Sequence, residues 1–261
     1  MNNKKELENP LSTIIKDGGF TGIFRTIGCI GDSLASGEHE SQDKDGKKGF
    51  HDYYEYSWGQ YIARRCGSTV YNFSVGGLTA KEFFTLARYQ KCFTKEKDCQ
   101  AYIIGLGVND SKNVEGIYKG GFGQLPDTKN ENDTFVGAYV QIILQIRALV
   151  PKARIFVITP PRRDNIPENA CAMEDKIACF LRELPNYFEF LYVIDLRKYE
   201  EVHDNEFRKR YHCGGHLNAM GYMRSADIIS TYIDYIIRNN YEDFKQVGFI
   251  CKNVHNCAEK W

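Results

Sequence analysis

Five short apolar runs punctuate the chain: Thr26–Ile30, Thr69–Phe73, Ala101–Leu106, Arg154–Thr159 and Phe190–Asp195. They are continuous rather than alternating, the pattern of strands covered on both faces. Between and after them lie helical stretches, Ser57–Cys66, Thr79–Gln90, Asp133–Val150, Asn169–Leu184 and Asn218–Ile237. Thr79 with Glu82 reads as a capping box, and Pro151 closes the helix before it. Within Asp133–Val150, apolar residues at Val136, Val140, Ile143, Leu144 and Ile146 trace one face of a helix. Strand–helix alternation of this kind predicts an α/β fold. Its expected form is a three-layer α/β/α sandwich, flavodoxin-like, with about five parallel strands.

Two polar segments interrupt the rhythm, Ser36–Tyr56 and the glycine-rich Lys112–Asn132. Both follow strand ends on the side where such sheets bind ligands, so each is a pocket wall or a variable surface loop. No repeat or low-complexity linker divides the 261 residues. They read as one domain, its core at 26–237, with insertions and terminal extensions.

Composition narrows the classes. Acidic and basic residues balance at 34 each, which argues against a nucleic-acid partner. No apolar run reaches the roughly 18 residues of a membrane span. The polar start, Met1 to Pro10, lacks the apolar stretch of a secretory leader, so a cytoplasmic protein with reduced thiols is expected. The nine cysteines contain no Cys-x-x-Cys pair, so no metal site is signalled; Cys251 and Cys257 are spaced for a local bridge. The 17 Tyr and 16 Phe fit an aromatic-rich core better than a ligand-facing pocket.

Candidate chemistry gathers at strand ends. Gly31-Asp32-Ser33-Leu34 ends the first run, where a parallel sheet places reactive groups. Ser33 there is a candidate nucleophile, and its own N–H a candidate oxyanion donor. The second run leads into Asn72-Phe73-Ser74-Val75-Gly76-Gly77, where glycine lets a backbone N–H approach a substrate or simply makes a turn. The third ends in Gly107-Val108-Asn109-Asp110, whose Asn109 amide is a neutral donor or the start of an Asx turn. Before the last helix stands His212-Cys213-Gly214-Gly215-His216, and His216 is a candidate base.

In this order and spacing, the four blocks resemble the SGNH (GDSL-type) hydrolase family over residues of about 26–237. The resemblance implies a flavodoxin-like sandwich without metal or cofactor. It also implies a Ser33–His216 mechanism and an oxyanion hole of the Ser33 N–H, the Gly77 N–H and the Asn109 amide. Substrates in the family include carbohydrate and lipid esters and acyl acceptors. A short acyl ester, such as an acetyl group on a carbohydrate, is the expectation here; the aromatic and polar stretch His51–Trp58 could stack on a sugar, although Trp58 begins a helix and can equally pack against the sheet.

One departure stands out. The family pattern Asp-x-x-His places an acid three residues before the histidine, and this chain has Cys213 there. Three explanations follow: a backbone carbonyl of Cys213–Gly214 holds the ring; Asp204 or Glu206 folds in; or catalysis is impaired and the protein binds ligands. An O-acyltransferase or a lysophospholipase would use the same serine. Flavin binding fits less well, because the loop after the first run lacks a series of Ser/Thr donors.

Overall fold

The computed structural model describes residues 9–85, 92–112 and 134–250. Five strands form the central sheet: β1 (Thr26–Gly31), β4 (Thr69–Asn72), β5 (Ala101–Gly105), β6 (Arg154–Ile158) and β7 (Leu191–Ile194). Their order is β4-β1-β5-β6-β7 and every pairing is parallel. Two small antiparallel hairpins lie outside it, β2 (Glu38–Gln42) with β3 (Lys48–Asp52) and β8 (His212–Cys213) with β9 (His216–Leu217). The expected three-layer α/β/α sandwich is the observed fold.

Alternation along the strands feeds a core on each face. Ile27, Cys29, Ala101, Ile103 and Phe156 pack toward helices Trp58–Cys66 and Ala219–Asn239. Ile30, Tyr102, Ile104, Ile155 and Val157 pack toward helices Phe135–Leu149 and Glu168–Glu183. Tyr102, Tyr139, Tyr222, Phe24, Phe83 and Phe156 are fully buried, so much of the aromatic content is core. Trp58 is among the buried residues, only 4% exposed, which removes it as a surface platform for a sugar.

Sheet order fixes where a ligand site belongs. From β1 the chain leaves to β4 on one side and returns to β5 on the other, opening a crevice beyond the carboxyl ends of β1 and β5. Both the Ser33 turn and the Asn109 loop start at that crevice. The Ser36–Tyr56 segment is no irregular loop: β2 and β3 make a hairpin there. Of the other sequence expectations, residues 113–132 of the second segment, the end of the Thr79–Gln90 helix, and Cys251 and Cys257 lie outside the described residues. Among the described residues, no helix is long and apolar enough to cross a membrane.

Candidate active site

A short helix, Ser33–Ser36, begins where β1 ends. Asp32 is its N-cap: Oδ1 accepts from the Leu34 N–H at 3.0 Å, and the Asp32 carbonyl accepts from Ala35 and Ser36. Among the described residues the Ser33 N–H makes no hydrogen bond, so the turn leaves one amide donor available beside the Ser33 hydroxyl. Asp32 is 1% exposed, and its Oδ2 faces the Asn109 amide nitrogen at 3.5 Å.

The second block crosses the end of β1. Val75 N–H donates to the Gly31 carbonyl at 3.2 Å, and the Ser74 hydroxyl donates to the Cys29 carbonyl at 3.2 Å. These bonds hold the following turn, in which Gly77 has a φ of 75° that only glycine adopts without strain. Its N–H also makes no hydrogen bond among the described residues. The third block braces this turn from the far side. Asn109 donates to the Leu78 carbonyl at 3.3 Å, and both Asp110 oxygens accept from the Ala80 N–H, at 3.1 and 3.3 Å. Burial pushes the Asp110 carboxyl up to about 7, against the lowering effect of that amide. The capping box read from sequence is present: Glu82 N–H donates to Thr79 Oγ1 at 3.2 Å, and Thr79 N–H to Glu82 Oε2 at 3.1 Å.

His216 arrives on β9, after a turn at Gly214 and Gly215 and just before Asn218, which caps the last helix by accepting from the Gly221 N–H at 2.9 Å. The helix Ser33–Ser36 packs against this strand. Tyr222 adds a tie, its hydroxyl within reach of the carbonyls of Ser33 at 3.1 Å and Glu38 at 2.6 Å. Thus Ser33, Gly77 and Asn109 stand on turns that are hydrogen-bonded to one another, and His216 stands on a strand packed against the Ser33–Ser36 helix. No Ser33–His216 hydrogen bond forms, however; the imidazole is engaged by carboxylates.

Those carboxylates are not the ones the sequence suggested. Asp204 caps the helix Asn205–Tyr211, accepting from the Phe207 N–H at 2.8 Å, and Glu206 pairs with Lys209 on the surface. Instead β2 supplies both neighbours: Glu38 Oε1 lies 3.0 Å from His216 Nε2, and Glu40 Oε2 lies 3.6 Å from Nδ1. Alternation along β2 puts residues 38 and 40 on one face, so a single strand delivers the pair. Burial lifts the Glu38 carboxyl above the ordinary range; the adjacent imidazole opposes this, while Asp52 and Glu40 reinforce it. Glu40 is pulled the other way, by its bond with Lys48 and by the Gly215 N–H. A separate cavity of about 110 Å³ is lined by Leu34, Ala35, Trp58, Leu196, His212 and Ile229 among others, and by none of Ser33, Gly77, Asn109 and His216.

Solved structures share this architecture at low identity. One is a family two carbohydrate esterase from Clostridium thermocellum in complex with cellohexaose. It has a TM-score of 0.57 and 15% identity, covering 84% of this chain and 65% of that one. A second, from Corynascus thermopiles (Myceliophthora fergusii), is a carbohydrate esterase family 2 enzyme with a carbohydrate binding domain. It has a TM-score of 0.56 and 17% identity, covering 82% and 66%. This chain therefore spans about two thirds of the length of those two esterases. A third is a GDSL-like lipase homologue from Bacteroides uniformis, at TM-score 0.52 and 15% identity, covering 82% and 96%. No curated protein matches the chain. Residues 29–224 match the GDSL-like Lipase/Acylhydrolase family, and the chain belongs to that family.

Proposed function

We propose that the protein is a serine esterase that cleaves short acyl esters through an acyl-Ser33 intermediate. The observation that carries this reading is a half-buried Ser33 at a capped turn, with the Ser33 and Gly77 N–H groups unengaged and the Asn109 amide nearby. In the first half-reaction, Ser33 Oγ bonds to the ester carbonyl carbon while its proton passes to His216 Nε2. The negative charge that develops on the carbonyl oxygen is met by those three donors; the long 3.5 Å Asn109–Asp32 contact is the one an oxyanion would replace. As the ester C–O bond breaks, the same proton leaves with the departing alkoxide oxygen. Water then attacks the acyl carbon as His216 takes its proton, and that proton passes to Ser33 Oγ as the Oγ–acyl bond breaks and the acid is released.

Two features support a carbohydrate ester. The first is the fold shared with the carbohydrate esterases. The second is an exposed aromatic beside His216: Phe50 is 55% exposed with its ring centroid 5.7 Å from the imidazole. A flat exposed ring next to the base suits a sugar face.

Hydrolysis of p-nitrophenyl acetate, run beside labelling with a fluorophosphonate, tests the reading. Ser33→Ala is expected to lose both the adduct and at least ~10³-fold of activity. Undiminished hydrolysis by Ser33→Ala would overturn the assignment, and absence of any adduct on the wild-type serine would make the protein a ligand binder. Acetyl transfer to an added sugar in place of acid release would identify an acyltransferase.

A further inference from the structure

Cys213 leaves His216 without the acid that the family's last block supplies, yet the imidazole is not left facing backbone. Glu40 reaches its Nδ1 from a different part of the chain, and four observations mark that approach as built. The Glu40 residue is only 9% exposed. Its Oε2 accepts the Gly215 N–H at 2.6 Å, which fixes the carboxylate to the residue next to His216. Its Oε1 pairs with Lys48 at 2.5 Å, so the second oxygen is also held. The turn is shaped to admit it: Gly214 has a φ of 67°, and a Cβ there would lie 2.5 Å from the Glu40 carboxyl carbon. Cys213 belongs to the same arrangement, with its thiol 3.4 Å from the Glu40 carbonyl.

We infer that Glu40 is the positioning residue of this site. In this role it receives the Nδ1 proton of His216 and faces the imidazolium that forms as Ser33 is deprotonated. The inference rests on the Ser33–His216 reading above. The 3.6 Å separation is that of an ion pair just beyond hydrogen-bond reach, a looseness common in unliganded sites that tighten around substrate. Glu38 has the opposite part. It sits on Nε2, the nitrogen that must receive the serine proton, so its contact opens when Ser33 reacts.

The charged and titratable groups around the ring are few enough to assign. Glu38 and Glu40 come from β2, and Lys48 and Asp52 from β3. His212 on β8 is held neutral, because burial and then its charged neighbours push it down to about 4. Glu40 is therefore the one carboxylate on the Nδ1 side among these groups.

Glu40→Gln, Glu38→Gln, Ser33→Ala and the double variant Glu40→Gln with Cys213→Asp separate the possibilities, measured on p-nitrophenyl acetate across pH. Glu40→Gln is expected to lower kcat by on the order of 10²–10⁴-fold with little change in KM, as when a triad acid is neutralised. The acidic limb of its kcat/KM profile is expected to move to lower pH, because the imidazolium has lost its counter-charge. Adding Cys213→Asp is expected to restore much of the loss, which a purely structural role for Glu40 would not allow. A wild-type rate and pH profile in Glu40→Gln overturns the proposal, as does the same loss arising from Glu38→Gln instead. Activity surviving in Ser33→Ala strikes the esterase reading itself, which keeps the two failures apart. ¹⁵N-histidine spectra at alkaline pH, assigned with His216→Gln, are read in Glu38→Gln, because in the unmodified protein the Glu38 carboxylate 3.0 Å from Nε2 holds the proton there. With that carboxylate neutralised the Nδ1–H tautomer is expected for His216, and a persisting Nε2–H tautomer overturns the assignment.

Discussion

The two halves of the crevice are built in different ways. On the serine side, Ser33, Gly77 and Asn109 sit on turns at the ends of three neighbouring parallel strands, and each turn is hydrogen-bonded to the next. On the histidine side, His216 stands on a two-residue strand, and its carboxylate neighbours come from a hairpin outside the sheet. Sheet geometry thus fixes where Ser33 lies, whereas the β2–β3 hairpin fixes what surrounds His216. The first arrangement follows from the sheet; the second lies outside it.

Beyond the Ser33 and Glu40 variants, the largest expected effect falls on the serine side. Asn109→Ala removes the one side-chain donor of the proposed oxyanion hole, and kcat is expected to fall by ~10²–10³-fold with KM little changed. A wild-type kcat would mean that the two backbone donors suffice, making this half simpler than proposed.

A smaller effect, on stability, is expected at Asp110, which braces the same half. Its folded carboxyl is raised to about 7, so the folded protein keeps a proton that the unfolded chain releases near pH 4. Stability contributed by this group is therefore intact below about pH 4 and is lost as pH rises toward 7. Asp110→Asn keeps an oxygen for the Ala80 N–H and removes the charge. Melting curves of variant and parent are expected to coincide near pH 4, with the variant more stable by on the order of 1–3 kcal/mol at pH 8. A variant less stable than its parent at pH 8 would show that the charge itself is needed to hold the turn.

The smallest effect is expected at Asp204, the acid that sequence position alone recommends for His216. As a helix N-cap it contributes about 1 kcal/mol, so Asp204→Ala should lower Tm by roughly 2–4 °C. Esterase activity at 25 °C is expected to stay at the parent level. A loss of kcat would return Asp204 to the histidine and break the contrast between the two halves.

What could be read before the structure follows the same division. Continuous apolar runs specify a sheet buried on both faces, and the observed strands fall within a residue or two of Thr26–Ile30, Ala101–Leu106 and the others. The placement of Ser33, Gly77 and Asn109 beyond strand ends is legible because apolar runs mark where each strand stops. Glu38 and Glu40 were not, because a polar segment gives no hydrophobic period from which to infer a strand. The signal was present in weaker form: Glu-x-Glu places two carboxylates on one face if residues 38–42 pair as a strand. Asp204 looked suitable for being near His216 in sequence, but its side chain is consumed by the Phe207 N–H. Of the two readings open to Trp58 at a helix start, stacking on a sugar or packing against the sheet, the structure shows the packing.

The β2–β3 hairpin adds no strand to the central sheet, and residues 51–53 at its end are open to water. Side-chain ties help hold it to the body, such as Ser36 Oγ to Asp52 at 2.6 Å and the Gly215 N–H to Glu40 Oε2 at 2.6 Å. Such an element frays at a lower free-energy cost than the strands beneath it. Warming is therefore expected to silence the protein before it melts, with the sheet and both hydrophobic clusters still formed, and cooling to restore it without refolding. Working temperature and folding temperature become separate properties, adjustable at the hairpin and in the core independently.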